Sequence, residues 1–217
     1  MGFYHVFNRG VEKRNIFMSE SDYARFVHDL WEFNDVALTS HAIHSFRNLG
    51  LRNPSLSKKR IVALHGWCLM KNHYHLLIEE ITDGGMTLFL RKLNIGYANY
   101  FNEKYSRSGA LFQGRTKKKL IGSNAHYLHI LHYIHLNPLD YVEGARQWRT
   151  GNIENPLGAK KRLDTYKWSS YQDYRGKDNF PSIISTDLFR DSIGSIEKQT
   201  LEYLKGNDTS AAPYILE

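Results

Sequence analysis

The chain has 217 residues, of which 41% are hydrophobic and 13% aromatic, so it is long enough to bury a substantial core within one globular domain. Its 29 Lys and Arg residues against 22 Asp and Glu residues give a formal net charge of +7, which favours an anionic partner such as nucleic acid. The single cysteine, Cys68, excludes an intramolecular disulfide, and no apolar run approaches the length of a membrane-spanning helix, so we expect a cytoplasmic protein with a buried thiol.

The first half of the chain alternates between strand and helix patterns. Residues alternate between apolar and polar from Phe3 to Asn8, which is typical of a strand, and the capping residues from Ser19 predict the start of a long helix. Two apolar runs separated only by Lys71-Asn72 predict adjacent antiparallel strands joined by a tight turn or bulge. The predicted strands are 3–8, 61–70 and 73–80, the second helix is 87–105, and a loop is expected over 45–59.

The second half carries less regular patterns. Residues 111–121 predict a strand or hairpin rim, and residues 125–136 predict a third helix that is capped by Ser123-Asn124 and stopped by Asn137-Pro138. Residues 147–161 contain Gly, Asn and Pro without an apolar period, so we interpret them as an insertion loop. Trp168 and Tyr171 are expected in the core. We expect a final helix over 185–204 and a loose tail over 206–217, which divides the chain into a catalytic domain, 1–180, and a C-terminal helix and tail, 181–217.

His73 and His75 open the third predicted strand. Residues two apart in a strand point to the same face, so both imidazoles project side by side while Tyr74 points the other way. Two imidazoles on one rigid element suit a divalent metal but leave coordination positions open. Without the other motifs, two exposed strand histidines are a better explanation of the pair than a metal site.

A nucleophile is predicted on the helix over 125–136, and a third ligand is predicted at its end. Its four histidines are spaced by three residues and drift around the helix, so they cannot all meet one metal. Tyr133 and Asn137 are four residues apart and share one face. We predict that Asn137 offers its carbonyl oxygen as a metal ligand beside His73 and His75, and that Tyr133 attacks a phosphodiester while the metal acts as a Lewis acid.

Residues expected to contact DNA lie near the basic stretch before this helix. Arg115, close to Gln113 in the sequence Phe-Gln-Gly-Arg, is predicted to be a guanidinium held in place to grip phosphate. Lys117, Lys118 and Lys119 are either ordinary solvent-exposed lysines or part of a surface that binds the DNA backbone. The predicted DNA-binding set comprises Gln113, Arg115, Lys117, Lys118, Lys119 and, at the end of the first strand, Asn8 and Arg9.

Four motifs occur in a fixed order along the chain: His73-Tyr-His75, Phe112-Gln-Gly-Arg115, Tyr133-Ile-His-Leu-Asn137-Pro138 and Trp168-Ser-Ser-Tyr171. This order resembles that of the single-tyrosine transposases of the HUH endonuclease superfamily, and specifically the REP-associated tyrosine transposases. The similarity covers roughly residues 3 to 174.

The resemblance implies an α+β fold with a ferredoxin-like (RRM-like) antiparallel sheet and helices packed on it, as a single domain with loop insertions. It also implies a Mg or Mn ion on the two histidines and cleavage of single-stranded, hairpin-bearing (REP-like) DNA through a covalent 5'-phosphotyrosine. If the roles known in this family apply to the matching positions here, His73, His75 and Asn137 would be metal ligands and Tyr133 would be the nucleophile. The segments around 48–59 and 151–161 exceed a minimal catalytic domain, which leaves monomer and homodimer open and favours the monomer.

Three alternatives remain at this point. Tyr97 and Tyr100, on the preceding helix, are rival nucleophiles because they too lie near a basic stretch. A hairpin-binding protein or repressor with the same fold would bind DNA without cleaving it. A metal-dependent hydrolase would use activated water instead of Tyr133 and release free 5'-phosphate ends.

Overall fold

A computed structural model of the protein describes residues 2–36, 59–122, 124–150, 153–188 and 196–206. The loop predicted over 45–59 and the tail predicted over 206–217 therefore lie almost entirely outside the described residues. The elements up to the last strand are β1 (Phe3–Arg9), α1 (Glu20–Glu32), β2 (Val62–Met70), β3 (His73–Glu80), α2 (Gly85–Lys104) and β4 (Lys117–Ile121). They are followed by α3 (Asn124–Leu136), α4 (Pro156–Leu163), α5 (Tyr171–Tyr174) and α6 (Ile196–Leu204).

The four strands form one antiparallel sheet in the order β2-β3-β1-β4. The succession β-α-β-β-α-β with this order is the ferredoxin-like arrangement, so the predicted fold class is confirmed. The local signals act as expected, since Ser19 and Asp22 form a capping box at the start of α1 and Lys71-Asn72 makes the turn between β2 and β3. The predicted strand over 111–121 is shorter than expected, because only Lys117–Ile121 pairs with β1.

One face of the sheet is covered by α1 and α2. Val6, Tyr74 and Leu76 point to this face from the central strands and pack with apolar residues of both helices in the larger core. Period-two alternation places their sequence neighbours on the opposite face. Tyr74, which lies between the two histidines, is fully buried here, and its hydroxyl donates a hydrogen bond to Asn94 Oδ1 at 2.8 Å.

The opposite face is covered by α3 and the elements that follow it. Cys68, Leu77 and Ile121 of the sheet pack there against Leu131 and Ile134 of α3 in a second core, and the Cys68 thiol is buried as predicted. Because the two cores share one sheet, the described chain forms a single α+β domain. Among the helices that the structure describes, none has the length and apolar character needed to cross a bilayer.

The Trp168-Ser-Ser-Tyr171 motif closes the outer edge of β2. The Leu69 N–H donates to the Trp168 carbonyl at 2.9 Å, and the Ser170 N–H donates to the Trp67 carbonyl at 3.0 Å. The Ser170 hydroxyl also bonds the Trp67 N–H and His135 Nε2, which ties the edge strand to α3. Trp168 and Tyr171 are buried, so the prediction that they pack in the core is confirmed.

The interpretation of 147–161 as an insertion loop is wrong. Residues Trp148–Thr150 form a 3-10 turn and Pro156–Leu163 form α4. Asn155 caps α4 by accepting a hydrogen bond from the Gly158 N–H at 2.8 Å, and Pro156 occupies the first turn, where its missing N–H costs nothing. Asn and Pro therefore mark the start of a helix whose buried face is only Ala159 and Leu163, too short a period to recognise in the sequence.

The final helix begins later than predicted, because residues 187 and 188 are the first helical residues of the range 185–204. Residues 185 and 186 are not helical, and the Ser185 N–H donates to the Leu64 carbonyl at 2.7 Å, which adds an extended segment to the edge of β2. Residues 189–195 lie outside the described residues, and α6 covers Ile196–Leu204. Backbone pairing with a distant strand competes here with local helix propensity.

Candidate active site

His73 and His75 lie next to each other on the second-core face of β3. Their ring centroids are 5.0 Å apart and the two rings are perpendicular. Strand pairing places His75 opposite Phe7 and His73 opposite Arg9 of β1. The structure therefore brings the first two predicted metal ligands together on one face, with Tyr74 on the other.

Both imidazoles are held through Nδ1. His73 Nδ1 lies 2.6 Å from Asn72 Oδ1, and His75 Nδ1 lies 3.0 Å from Nε2 of His5, a third histidine on β1. The Nε2 atoms of His73 and His75 are shielded from solvent and have no hydrogen-bond partner among the described residues. A buried imidazole nitrogen without a partner is costly unless a ligand satisfies it, so the pair fits a divalent cation.

Burial keeps both imidazoles neutral. Desolvation, followed by the positive charge of Arg9, lowers the pKa of His73 to about 4, from an ordinary value of 6.5. Desolvation and the neighbouring histidines lower the pKa of His75 well below 6.5. At neutral pH both side chains are therefore in the form that binds metal.

Tyr133 packs against the histidines from α3. Its ring centroid lies 5.7 Å from that of His75 and 5.7 Å from that of His5, in both cases edge to face, and the residue is 4% exposed. The rival tyrosines lie on the other side of the sheet, where the Tyr97 hydroxyl donates to the Ile16 carbonyl and the Tyr100 hydroxyl donates to Asp22. Of the three candidate nucleophiles, Tyr133 is the one beside the histidine pair.

Asn137 lies in the 3-10 turn that follows α3 and is fully buried. Its Nδ2 donates to the Tyr133 carbonyl at 2.8 Å, and its Oδ1 accepts from Arg149 at 3.3 Å. The amide thus closes the last turn of the helix that carries Tyr133. One lone pair of Oδ1 is engaged by the guanidinium, so its role as third metal ligand stays a prediction.

Arg149 is a site residue that sequence reasoning missed. Its guanidinium bonds Asp140 through Nη1 at 2.6 Å and lies 4.2 Å from the Trp148 ring centre and 5.7 Å from that of Tyr133. Burial disfavours its charge, but the hydrogen bonds to Asp140 outweigh burial and raise the pKa of Arg149. No sequence signal pointed to it, because it lies in the segment interpreted as a loop.

An open cavity of about 300 Å³ borders the histidines. Its walls include both histidines, Phe7 and four of the predicted DNA-binding residues, namely Asn8, Arg9, Gln113 and Lys117. The Gln113 N–H donates to the Arg9 carbonyl at 2.8 Å, which fixes the Phe-Gln-Gly-Arg segment against the end of β1. Two cationic side chains therefore lie at the mouth of the candidate metal site.

The remaining predicted DNA contacts divide between the two faces of the sheet. Lys117 and Lys119 flank the Phe7 ring, with ammonium groups 5.5 and 5.9 Å from its centre, whereas Lys118 bonds Thr87 of α2 on the opposite face. Arg115 is exposed and forms no hydrogen bond or ion pair with another described residue. None of the described residues holds the guanidinium in place, and its contact with DNA stays a prediction.

One other group of possible metal ligands occurs in the described part of the chain. Ligand atoms of His28, Asp29 and Glu32 on α1 lie within 4.8 Å of one another. Asp29 already accepts a hydrogen bond from Arg25 Nε at 2.8 Å, and α1 packs on the face remote from Tyr133. This group is separate from the histidine pair, on the side of the sheet that carries Tyr97 and Tyr100.

Comparison with known proteins adds a distant structural similarity. No family model matches the chain, and no curated protein matches it. A solved structure described as "Structure of the REP associates tyrosine transposase bound to a REP hairpin" aligns over 86% of this chain and 87% of that chain, with 13% sequence identity and a TM-score of 0.47. The chain is thus distantly similar to a tyrosine transposase that was solved with a DNA hairpin.

Proposed function

We propose that the protein is a metal-dependent endonuclease and strand transferase that cuts single-stranded, hairpin-bearing DNA through a covalent 5'-phosphotyrosine. One observation carries the proposal. His73 and His75 carry buried, unpartnered Nε2 atoms on the same face where the Tyr133 ring packs against His75, beside a cavity lined by Arg9 and Lys117. Two neutral imidazoles, a phenol and two cations form the set of groups that a tyrosine-based transesterification needs.

The reaction exchanges one phosphoester for another. Tyr133 Oη forms a bond to the scissile phosphorus and the bond from phosphorus to the 3' oxygen breaks. The phenol gives up its proton and the departing 3' oxygen gains one, so charge is balanced. Rejoining to another 3'-hydroxyl reverses these steps and needs no nucleotide cofactor, because the phosphotyrosine conserves the energy of the broken bond.

Each side chain has a distinct task in this scheme. His73 and His75, with Asn137 as proposed third ligand, would hold Mg or Mn, which would supply Lewis-acid stabilisation of the negative phosphate. Arg9 and Lys117 bind the flanking phosphates at the cavity mouth. Arg149, over the Tyr133 ring, favours the negative charge that develops on the phenol.

The test uses a 3'-labelled single strand with a hairpin, incubated with the full chain and Mn, because the fragment that becomes linked to Tyr133 retains the 3' end. We expect a protein–DNA adduct that survives denaturant, and no adduct with Tyr133→Phe. Tyr127→Phe is the matched control, because Tyr127 lies on the same helix and packs against Phe3 rather than the histidine pair. An undiminished adduct with Tyr133→Phe, or free 5'-phosphate ends instead of an adduct, would sink the proposal.

Burial of the catalytic groups favours a second candidate, a hairpin-binding protein without cleavage activity. Tyr133 is only 4% exposed and Asn137 is fully buried with both ends of its amide hydrogen-bonded, so the phenol does not face the cavity openly. Such a protein would bind the hairpin equally well with His73→Ala and His75→Ala, and the native chain would give no adduct. Hairpin affinity and adduct yield measured on the same samples distinguish the two candidates.

A further inference from the structure

We propose that His5 is a positioning residue that accepts a hydrogen bond from Nδ1 of His75 and thereby leaves the Nε2 lone pair of His75 for a divalent cation. The inference rests on the proposed metal role of the histidine pair. No feature of the sequence marked His5 as part of the site.

The geometry places the two rings in direct contact. His5 and His75 lie on adjacent strands and the same face, two positions apart in register, since Phe7 pairs with His75 and His5 pairs with Leu77. Their rings stack with centroids 5.2 Å apart and an interplanar angle of 19°. His5 Nε2 lies 3.0 Å from His75 Nδ1, and the two residues are 1% and 2% exposed.

The direction of this hydrogen bond decides whether His75 can bind metal. A neutral imidazole carries one proton, so if Nδ1 of His75 accepts, its Nε2 must be protonated and has no lone pair for a cation. If Nδ1 donates, Nε2 carries the lone pair. Only the second arrangement is compatible with a metal at Nε2.

The neighbouring ligand His73 donates a hydrogen bond from Nδ1, which is the direction proposed for His75. Its Nδ1 lies 2.6 Å from Asn72 Oδ1, an oxygen that can only accept, so Nδ1 of His73 carries the proton. The amide orientation of Asn72 is fixed independently, because its Nδ2 donates to the Lys13 carbonyl at 3.2 Å. Asn72 and His5 thus occupy equivalent places behind the two imidazoles.

His5 acts behind the ligands rather than as one of them. Among the described residues, the group on α1 is the only set of three His, Cys, Asp or Glu residues whose ligand atoms lie within 4.8 Å of one another. His5, His73 and His75 therefore do not converge on one point. The contact with His75 Nδ1 accounts for His5 without a metal bond.

Two substitutions separate the hydrogen bond from packing. His5→Phe keeps a flat ring against Phe7 and Tyr133 but removes the acceptor, and we expect Mn²⁺ affinity to fall about 10- to 100-fold. His5→Gln keeps a side-chain oxygen near the position of Nε2 and should retain most of the affinity. His65→Phe is the matched control, since His65 is a buried histidine whose partners are Glu79 and Ser185. The Mn²⁺ affinity of the His65→Phe variant should equal that of the native chain.

The experiment is a calorimetric Mn²⁺ titration of the full chain and its variants, with thermal unfolding as the check of folding. Histidine ¹⁵N NMR of the metal-free native chain reports the tautomer directly, and we expect the His75 proton on Nδ1. Mn²⁺ affinity of folded His5→Phe equal to that of the native chain, or a His75 proton on Nε2, overturns the inference. If His5→Phe fails to fold, the tautomer decides. Failure of the native chain to bind Mn²⁺ instead overturns the proposed metal site, and the tautomer still tests the hydrogen bond.

Discussion

Burial of individual side chains sets the chemistry of the site. His73 and His75 are neutral because desolvation opposes their charged form, and Arg9 adds to this by repelling a second positive charge. The same burial leaves their Nε2 atoms without water. A pair of imidazoles that is both neutral and unsatisfied is prepared for a cation before one binds.

The shifted pKa of His73 makes the stability of the metal-free protein depend on pH. Its folded pKa of about 4 lies below the ordinary value of 6.5, so between these values the unfolded chain binds a proton that the folded protein does not. The free energy of unfolding therefore falls as the pH is lowered through this window. The free energy of unfolding of the native chain should fall by on the order of 2 kcal/mol more than that of His73→Gln when the pH is lowered from about 7 to about 4.5.

This prediction is measured by urea unfolding in the presence of a chelator at both pH values. Other groups titrate over the same range, so the quantity of interest is the difference between the native chain and His73→Gln. Identical losses of stability in the two proteins would contradict the lowered pKa of His73.

At the level of whole elements, strand alternation decides which basic residues can reach DNA. Lys117 and Lys119 share the face of β4 that holds Phe7 and the histidines, while Lys118 points toward Thr87 of α2. Three consecutive lysines look equivalent in the sequence. In the sheet they form two cations beside the site and one on the far side.

We therefore predict unequal effects of removing these lysines. Lys117→Ala and Lys119→Ala should each weaken binding of single-stranded DNA several-fold and reduce the salt dependence of log K by about 0.7, the value for one phosphate contact on a single strand. Lys118→Ala is the built-in control and should change neither quantity. Fluorescence anisotropy of a labelled strand at several salt concentrations provides the measurement, and equal losses for all three variants would contradict the division by face.

Considered as a whole, the molecule is two cores on one sheet, and the C-terminal region contributes to both. Ile183 and Ile184 belong to the core under α1 and α2, while Ile196 and Leu204 belong to the core under α3. The boundary predicted at residue 180 thus falls before residues that complete each core. The division into a catalytic domain, 1–180, and a C-terminal helix and tail, 181–217, stays a prediction.

This arrangement predicts that a destabilising substitution near the end of the chain lowers the stability of the whole domain. Leu204 is 1% exposed, and we expect Leu204→Ala to lower the free energy of unfolding by about 2–4 kcal/mol within a single cooperative transition. Leu188, which is 49% exposed, offers the matched control, and Leu188→Ala should cost no more than about 0.5 kcal/mol. Urea unfolding followed by circular dichroism measures both, and a separate early transition for Leu204→Ala would indicate that the C-terminal region unfolds independently.

The sequence by itself determined the elements up to α3 and the order of the four motifs, because apolar periodicity, caps and turns act between residues close in the chain. It also placed His73 and His75 on one face and Tyr133 one turn before Asn137. Only the tertiary structure brought Tyr133 to His75, divided the lysines, engaged Asn137 with Arg149 and put His5 behind His75. Those outcomes depend on strand register and on contacts between residues far apart in the chain, such as His5 and His75, which are 70 positions apart, and no local pattern encodes them.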